Sequence, residues 1–256
     1  MSRKILLSIF SIVLTSACGD KKQEENQTWR TKKLAIENQV HNQLLDVEKK
    51  QGWALLFDGK TLEGWHLYNN PDSTAFSAWE IKEGTLYCNA TDETRVFGDL
   101  VTDKVYENYE LVFEWQMGLR GNGGVFINVQ ESPEFDATYR TGPEYQLLEP
   151  THMDTKTAKK QAGSLWGVSP QTNPEIPKPV GQWNTSRIIQ QDGKIEFYLN
   201  GTMTAREDVT SSGWQQKLSQ SNFKDNPNFG RVTKGKIALQ NWYFEAWFRN
   251  MKIREL

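Results

Sequence analysis

Tyr109-Glu110-Leu111-Val112-Phe113-Glu114-Trp115-Gln116-Met117 is the stretch that decides the fold. Large apolar side chains fall on every second position, and three of the four residues between them are polar. A period of two marks a strand with one face buried. Arg120-Gly121-Asn122-Gly123-Gly124 follows, and its clustered glycines predict a tight reversal at positive φ. Val125 to Gln130 then runs back as a second strand. After a polar loop, Glu144-Tyr145-Gln146-Leu147-Leu148-Glu149 reads as a third. Its alternation sends Glu144, Gln146 and Leu148 to one face and Tyr145, Leu147 and Glu149 to the other. An unpaired carboxylate in a dry core costs several kcal/mol. The Glu144 face is therefore expected to be wet and concave, and the candidate site is placed there.

Working outward, the same pattern recurs. Asp58-Gly59, Glu83-Gly84, Asp192-Gly193 and Asn200-Gly201 are turn signals between short apolar runs. Trp183 to Gln191 and Lys194 to Asn200 predict a hairpin about Asp192-Gly193. Lys236 to Gln240 and Ala246 to Glu255 predict closing strands. Many short strands at even spacing predict an all-β sandwich or jelly roll. Two long polar segments, Thr151 to Gly163 and Ser211 to Gly235, read as loops of the kind that border binding sites.

The chain of 256 residues fits one large folded domain, expected over residues 52–256. A net charge of -2 gives no field to attract nucleic acid or an anionic membrane. The 10 tryptophans suit both a β core and platforms for sugar rings. Residues 1–17 read as an export signal: Arg3 and Lys4, then an apolar run from Ile5 to Leu14 too short to span a bilayer. Ser16-Ala17-Cys18 resembles a bacterial lipobox, so Cys18 is expected to carry a lipid anchor, leaving the protein in the cell envelope, facing the periplasm or the surface. Residues 18–51 read as a tether and a short helix, with Leu34, Ile36, Val40, Leu44, Leu45 and Val47 on a rough stripe. Cys88 has no partner other than Cys18, and no disulfide is expected.

Six segments in order carry a resemblance. They are Trp53 to Trp65, Trp79 to Leu86, Gly121 to Phe126, Glu144 to Glu149, Gly181 to Asn184, and Phe248 to Leu256. Together they resemble the 3-keto-disaccharide hydrolase domain family. The resemblance implies a concanavalin A-like jelly roll and an activity on glycosides already oxidised at the sugar C3. A C3 ketone acidifies the C2 proton, a general base removes it, and the enolate oxygen needs a positive or hydrogen-bonding partner. The C1 substituent then leaves and water can add. In one place the chain departs from the family's pattern. Where relatives often carry Gln-Asp-His, this chain reads Gln240-Asn241-Trp242.

Glu144 is the leading candidate for the base, against a structural carboxylate. His152 is a candidate proton shuttle, and Glu149 a third catalytic candidate that could instead cap its loop. His152 with Glu149 and Asp154 could also hold a divalent metal to stabilise the enolate. Gln146, Arg120, Asn122, Arg187, Gln240, Asn241 and Trp242 are candidate substrate contacts. Arg120 and Asn122 could instead only shape a turn, Arg187 could pair with a buried acid, and Trp242 could be core. Glu134-Phe135-Asp136 resembles the start of the glucanase paired-carboxylate signature, but Tyr139 stands near the place of the second carboxylate. Two functions compete: an enzyme on a 3-keto-glycoside, and a noncatalytic carbohydrate-binding module on the same fold. Either takes an oligosaccharide or glycoside as its ligand.

Overall fold

The computed structural model describes residues 41–256. They form an all-β jelly-roll sandwich of two antiparallel sheets. The larger sheet runs β11 (Thr202–Asp208), β10 (Lys194–Leu199), β9 (Asn184–Gln191), β6 (Tyr109–Met117), β13 (Ala246–Glu255), β4 (Thr85–Cys88), β3 (Trp79–Lys82), with β1 (Ala54–Leu55) also paired to β13. The smaller sheet runs β2 (Trp65–Leu67), β5 (Leu100–Thr102), β12 (Lys236–Leu239), β7 (Asn122–Val129), β8 (Glu144–Leu148).

The alternation along β6 is the reason the sheets stack. Tyr109, Leu111, Phe113, Trp115 and Met117 are all buried in the main core. Phe113 meets Tyr145 of the opposite sheet edge to face, with centroids 6.1 Å apart, and Tyr145 in turn meets Phe197 at 5.0 Å. Polar groups in this layer are paired. Ser186 Oγ accepts from Trp115 Nε1 at 2.8 Å and shares a 2.7 Å hydrogen bond with the Tyr145 hydroxyl. The other face of β6 turns outward, where Glu110 binds Arg187 and Arg254 and Glu114 binds Arg249. Cys88 is buried and free, and burial pushes its thiol pKa far up.

Three of the turn signals form two-residue hairpins. Glu83-Gly84, Asp192-Gly193 and Asn200-Gly201 all hold both central residues at positive φ. That backbone matches the right-handed twist of the flanking strands. Asp58 instead organises a loop, accepting from the amides of Lys60 and Thr61.

Two expectations are corrected. Gly123 and Gly124 are not a reversal: both lie inside β7 without positive φ, and the turn is made at Gly118 to Gly121, with Arg120 at φ 55°. Of the short helix, the described residues contain α1 (Asp46–Lys50), none of whose residues is buried; Leu34, Ile36 and Val40 of the stripe lie outside the described residues. Residues 1–40, with Cys18 and the rest of the tether, lie outside the described residues. The segment Ser211 to Gly235 is not all loop. It contains α2 (Ser212–Ser219), which buries Trp214 and Leu218 and is capped by Ser211 Oγ on the Trp214 amide.

Candidate active site

The outer face of the smaller sheet is set by register. Gly124 pairs with Gln146 and Phe126 with Glu144, while Ala238 pairs with both Phe126 and Val101. Paired residues in an antiparallel sheet share a face. One row across the sheet is therefore Val101, Ala238, Phe126, Glu144. The row beside it, one pleat along, is Asp99, Gln240, Gly124, Gln146. The apolar members Val101, Phe126 and Ala238 form a small buried cluster of their own, against which Tyr68 packs. Tyr145 and Leu147 take the opposite face and join the main core.

Beyond the apolar cluster the face opens into a cavity of about 490 Å³. Glu144 forms its floor. On the sheet side, Asn122 and Gln240 line it. The segment after Gly163 lies along the free edge of β8. Gly163 donates to the Gln146 carbonyl at 2.8 Å, Gln146 to Ser164 at 3.2 Å, and Trp166 to Glu144 at 3.1 Å. This pairing covers an open sheet edge and sets the Trp166 ring beside Glu144. Phe223 packs edge-on against Trp166 at 5.8 Å. Asn226 donates to the Arg140 carbonyl at 2.8 Å, which ties the loop after α2 to the one before β8. Asn222, Tyr139, Arg140, Asp154, Lys160 and Trp242 complete the lining.

Glu144 is 5 % exposed, and its carboxyl has no hydrogen-bond or ion-pair partner among the described residues. Burial raises its pKa well above the ordinary carboxyl range, and the charge of Asp99 raises it further. Asp99 is itself pushed up to about 6 by burial. Two hydrogen bonds oppose that rise: Thr138 Oγ1 donates to Oδ2 at 2.5 Å and the Asn241 amide to Oδ1 at 2.9 Å. Two carboxyls with raised pKa on one sheet face form an unusual electrostatic feature, and such perturbed groups concentrate at functional sites. Lys160 provides positive charge at the cavity wall. Its Nζ is 3.2 Å from Asp154 Oδ1 and 5.8 Å from the Trp166 ring centre.

Four of the catalytic and substrate-contact candidates meet in this cavity, Glu144, Asn122, Gln240 and Trp242, with Asp154 of the candidate metal trio beside them. Asn241 lies behind it, with its amide N–H on Asp99 and a buried Nδ2 that has no partner among the described residues. Gln146 is enclosed, and its Nε2 donates to Asn122 Oδ1 at 2.9 Å and to the Gly123 carbonyl at 2.8 Å, so it orients Asn122. Glu149 Oε2 accepts from the Arg120 amide, the Thr151 amide and the Thr151 hydroxyl. It fastens the β6–β7 turn and does not line the cavity. His152 caps a short 3₁₀ turn, its Nδ1 accepting from the Asp154 amide at 3.1 Å, and its ring stands edge-on to Phe244. Arg120 is exposed at the turn. Arg187 is not in the groove. It lies on the outer face of the larger sheet, 2.5 Å from Glu110 and above the Tyr198 ring.

The metal reading is not supported by these donors. Glu149 Oε2 and His152 Nδ1 are already engaged by loop N–H groups. Among the described residues no group of three or more His, Cys, Asp or Glu side chains converges as metal ligands. Asp99, Lys160 and Trp166 were missed in the sequence. Trp166 could have been suspected as an aromatic following a glycine-serine edge segment, whereas Asp99 had no local signal.

A jelly-roll sandwich with an aromatic- and amide-lined cavity over a buried carboxyl is the class of molecule these features define. The chain belongs to the family described as the 3-keto-alpha-glucoside-1,2-lyase-like domain, which matches residues 52–254. A curated relative from Bacteroides thetaiotaomicron named 3-keto-disaccharide hydrolase is 28% identical, over 95% of this chain and 94% of the relative. A crystal structure from Parabacteroides distasonis, described as a candidate glycosyl hydrolase, has a TM-score of 0.76 at 30% identity and covers 85% of this chain and 100% of that one. A second from the same organism, at 23% identity and a TM-score of 0.60, shares the fold over 80% of this chain and 99% of that one.

Proposed function

We propose that this protein cleaves glycosides whose sugar carries a ketone at C3, by proton abstraction at C2 and elimination of the C1 substituent, with hydration after it. The observation that carries the reading is Glu144: a buried carboxyl with no hydrogen-bond or ion-pair partner among the described residues, facing a cavity lined by indoles and amides. The family match and the name of the Bacteroides relative support the substrate class.

In this reading Glu144, as carboxylate, takes the C2 proton. The electrons of that C–H bond form the C2–C3 double bond, and O3 takes the negative charge. Lys160 faces that charge. The enolate then re-forms the C3 ketone, its C2–C3 double-bond electrons become a C1–C2 double bond, the C1–O bond breaks, and the proton held by Glu144 passes to the leaving oxygen, directly or through water. A carboxylate whose pKa is raised by burial is the stronger base once ionised. Asn122, Asn222, Asn226 and Gln240 supply amides for the remaining hydroxyls, and Trp166 a face for the ring.

The second reading is a noncatalytic sugar-binding module. Trp242 favours it, because an indole at the cavity rim binds sugars without moving protons. Product analysis with 3-keto-trehalose, 3-keto-sucrose and an aryl 3-keto-glucoside separates the two. The enzyme reading expects cleavage by the wild type and a loss of about 10²-fold or more in Glu144→Gln. Binding without cleavage of any of the three by the wild type would leave the module.

We further propose residues 52–256 as the functional domain and Cys18 as the site of a lipid anchor in the cell envelope. Cys18→Ala is then expected to move the protein from the membrane to the soluble fraction. An unchanged membrane fraction would count against the anchor.

A further inference from the structure

Trp242, at the cavity rim, is 45% exposed. Its ring centre is 6.3 Å from that of Tyr243, which is 64% exposed. Tyr243 stacks on Phe97 at 4.5 Å and 20° between planes, and Phe97 is 48% exposed. Three large aromatics thus run outward from the mouth of the cavity in continuous contact. Contiguous exposed apolar surface of this kind marks interaction sites.

The backbone holds this arrangement at a cost. Tyr243 sits at φ 63°, a left-handed conformation that a bulky residue rarely adopts. Such strain persists only where the surroundings impose it, and it gathers at ligand sites. Here it turns the Tyr243 ring onto Phe97, a residue contributed by the segment before β5. Two distant parts of the chain are brought together at the surface to build one aromatic ledge.

The chemistry of the two halves differs. The cavity is rich in amides and charged groups, as hydroxyl recognition requires. The ledge is made of aromatic rings, and its only side-chain polar atoms are the Tyr243 hydroxyl and the Trp242 indole N–H. Two polar atoms are few for the hydroxyls around a second sugar ring. A flat aromatic group has no such need.

We propose that Phe97, Tyr243 and Trp242 form a binding shelf for the leaving group, and that the preferred substrate is a glycoside of an aromatic aglycone. The sugar occupies the cavity over Glu144 and the aglycone lies on the shelf. This rests on the cavity being a glycoside site, as proposed above.

The test measures binding, so that it does not depend on turnover. Phenyl 3-keto-glucoside, methyl 3-keto-glucoside of the same anomer, and a 3-keto-disaccharide are titrated by calorimetry into the full-length Glu144→Gln protein. The same titrations are run with Phe97→Ala or Tyr243→Ala added. The phenyl compound is expected to bind about fivefold to tenfold more tightly than the methyl one, the scale of one aromatic stacking contact. Each added substitution is expected to remove most of that preference, with melting temperatures showing that both variants fold. Two independent variants guard against one failing to fold. Equal affinity for the phenyl and methyl compounds overturns the shelf, as does a preference that survives both substitutions. An equal gain for the disaccharide overturns its aromatic character. Failure of all three to bind overturns the site itself. A phenyl preference in a protein that never cleaves 3-keto-glycosides would keep the shelf and reject the proposed reaction.

Discussion

The side chain of Glu144 occupies the space that a side chain on Gly124 would need. A Cβ added to Gly124 would lie 2.6 Å from Glu144 Cγ and 2.7 Å from Cδ, and nearer still to Oε1. Glycine is required here for close approach, since its φ is not positive. Gly123, one residue earlier on the opposite face, would bring its Cβ no nearer than 3.3 Å, to the mobile end of Met117. Gly124→Ala is therefore expected to lower stability by about 1–3 kcal/mol through overpacking, and to displace the Glu144 carboxyl. Gly123→Ala should melt closer to the wild type. Thermal melts of the pair check this, and equal melting would show that Glu144 has room to move aside.

The pH dependence of stability follows from Glu144 and Asp99 together. Both pKa values are raised in the fold, from ordinary values of 4.5 and 3.8. At low pH both groups are protonated, folded or unfolded, and burial carries no charge penalty. As pH rises the unfolded chain releases these protons first, so the folded state binds more protons and loses stability. The loss runs from about pH 4 up to about 6 for Asp99, and for Glu144 it begins near its ordinary value and continues upward. Glu144→Gln cannot ionise. Its urea midpoint should fall less than that of the wild type between pH 4.5 and 7, and should be the higher of the two at pH 7. Parallel curves would mean that the Glu144 carboxyl is not desolvated.

Glu149 should behave as a structural residue. Removing its carboxylate in Glu149→Ala leaves the Arg120 amide and the Thr151 amide and hydroxyl without their acceptor. The expected cost is about 1–3 kcal/mol, seen as a lower melting temperature. Turnover per folded molecule should stay close to wild type at a temperature where both are folded. A large loss of kcat without loss of stability would return Glu149 to the catalytic group.

These contrasts show what the sequence could and could not carry. The parity of β8 was legible, because Tyr145 and Leu147 alternate with Glu144 and Gln146 and only one face could be core. Parity alone could not separate Glu144, which opens into the cavity, from Gln146, which is engaged by Asn122 and Gly123. Nor could it tell a glycine that turns from one that makes room, so Gly124 was read as a reversal. Asp99 was invisible because its meaning is tertiary: its partners Thr138 and Asn241 are 39 and 142 residues away. The aromatic ledge was hidden for the same reason. Phe97 and Tyr243 meet only once β5 and β12 have paired.

Lys160 gives the sharpest test of the proposed chemistry. It is the lysine that lines the cavity, and its charge is shared with Asp154 at 3.2 Å. If O3 of an enolate develops negative charge beside it, the ammonium is worth more in the transition state than in the bound ketone, and its loss falls on kcat. Lys160→Met keeps much of the stem that packs near Trp166 and removes the charge. We expect kcat to fall by about 10²-fold with KM changed far less, the scale of losing one preorganised oxyanion partner. Lys160→Arg should restore part of the rate, because a cation returns with a different shape. A rise in KM at constant kcat would instead mean that Lys160 binds ground state and transition state alike. The enolate would then need another partner, and Arg140, the other cation lining the cavity, would be next to test.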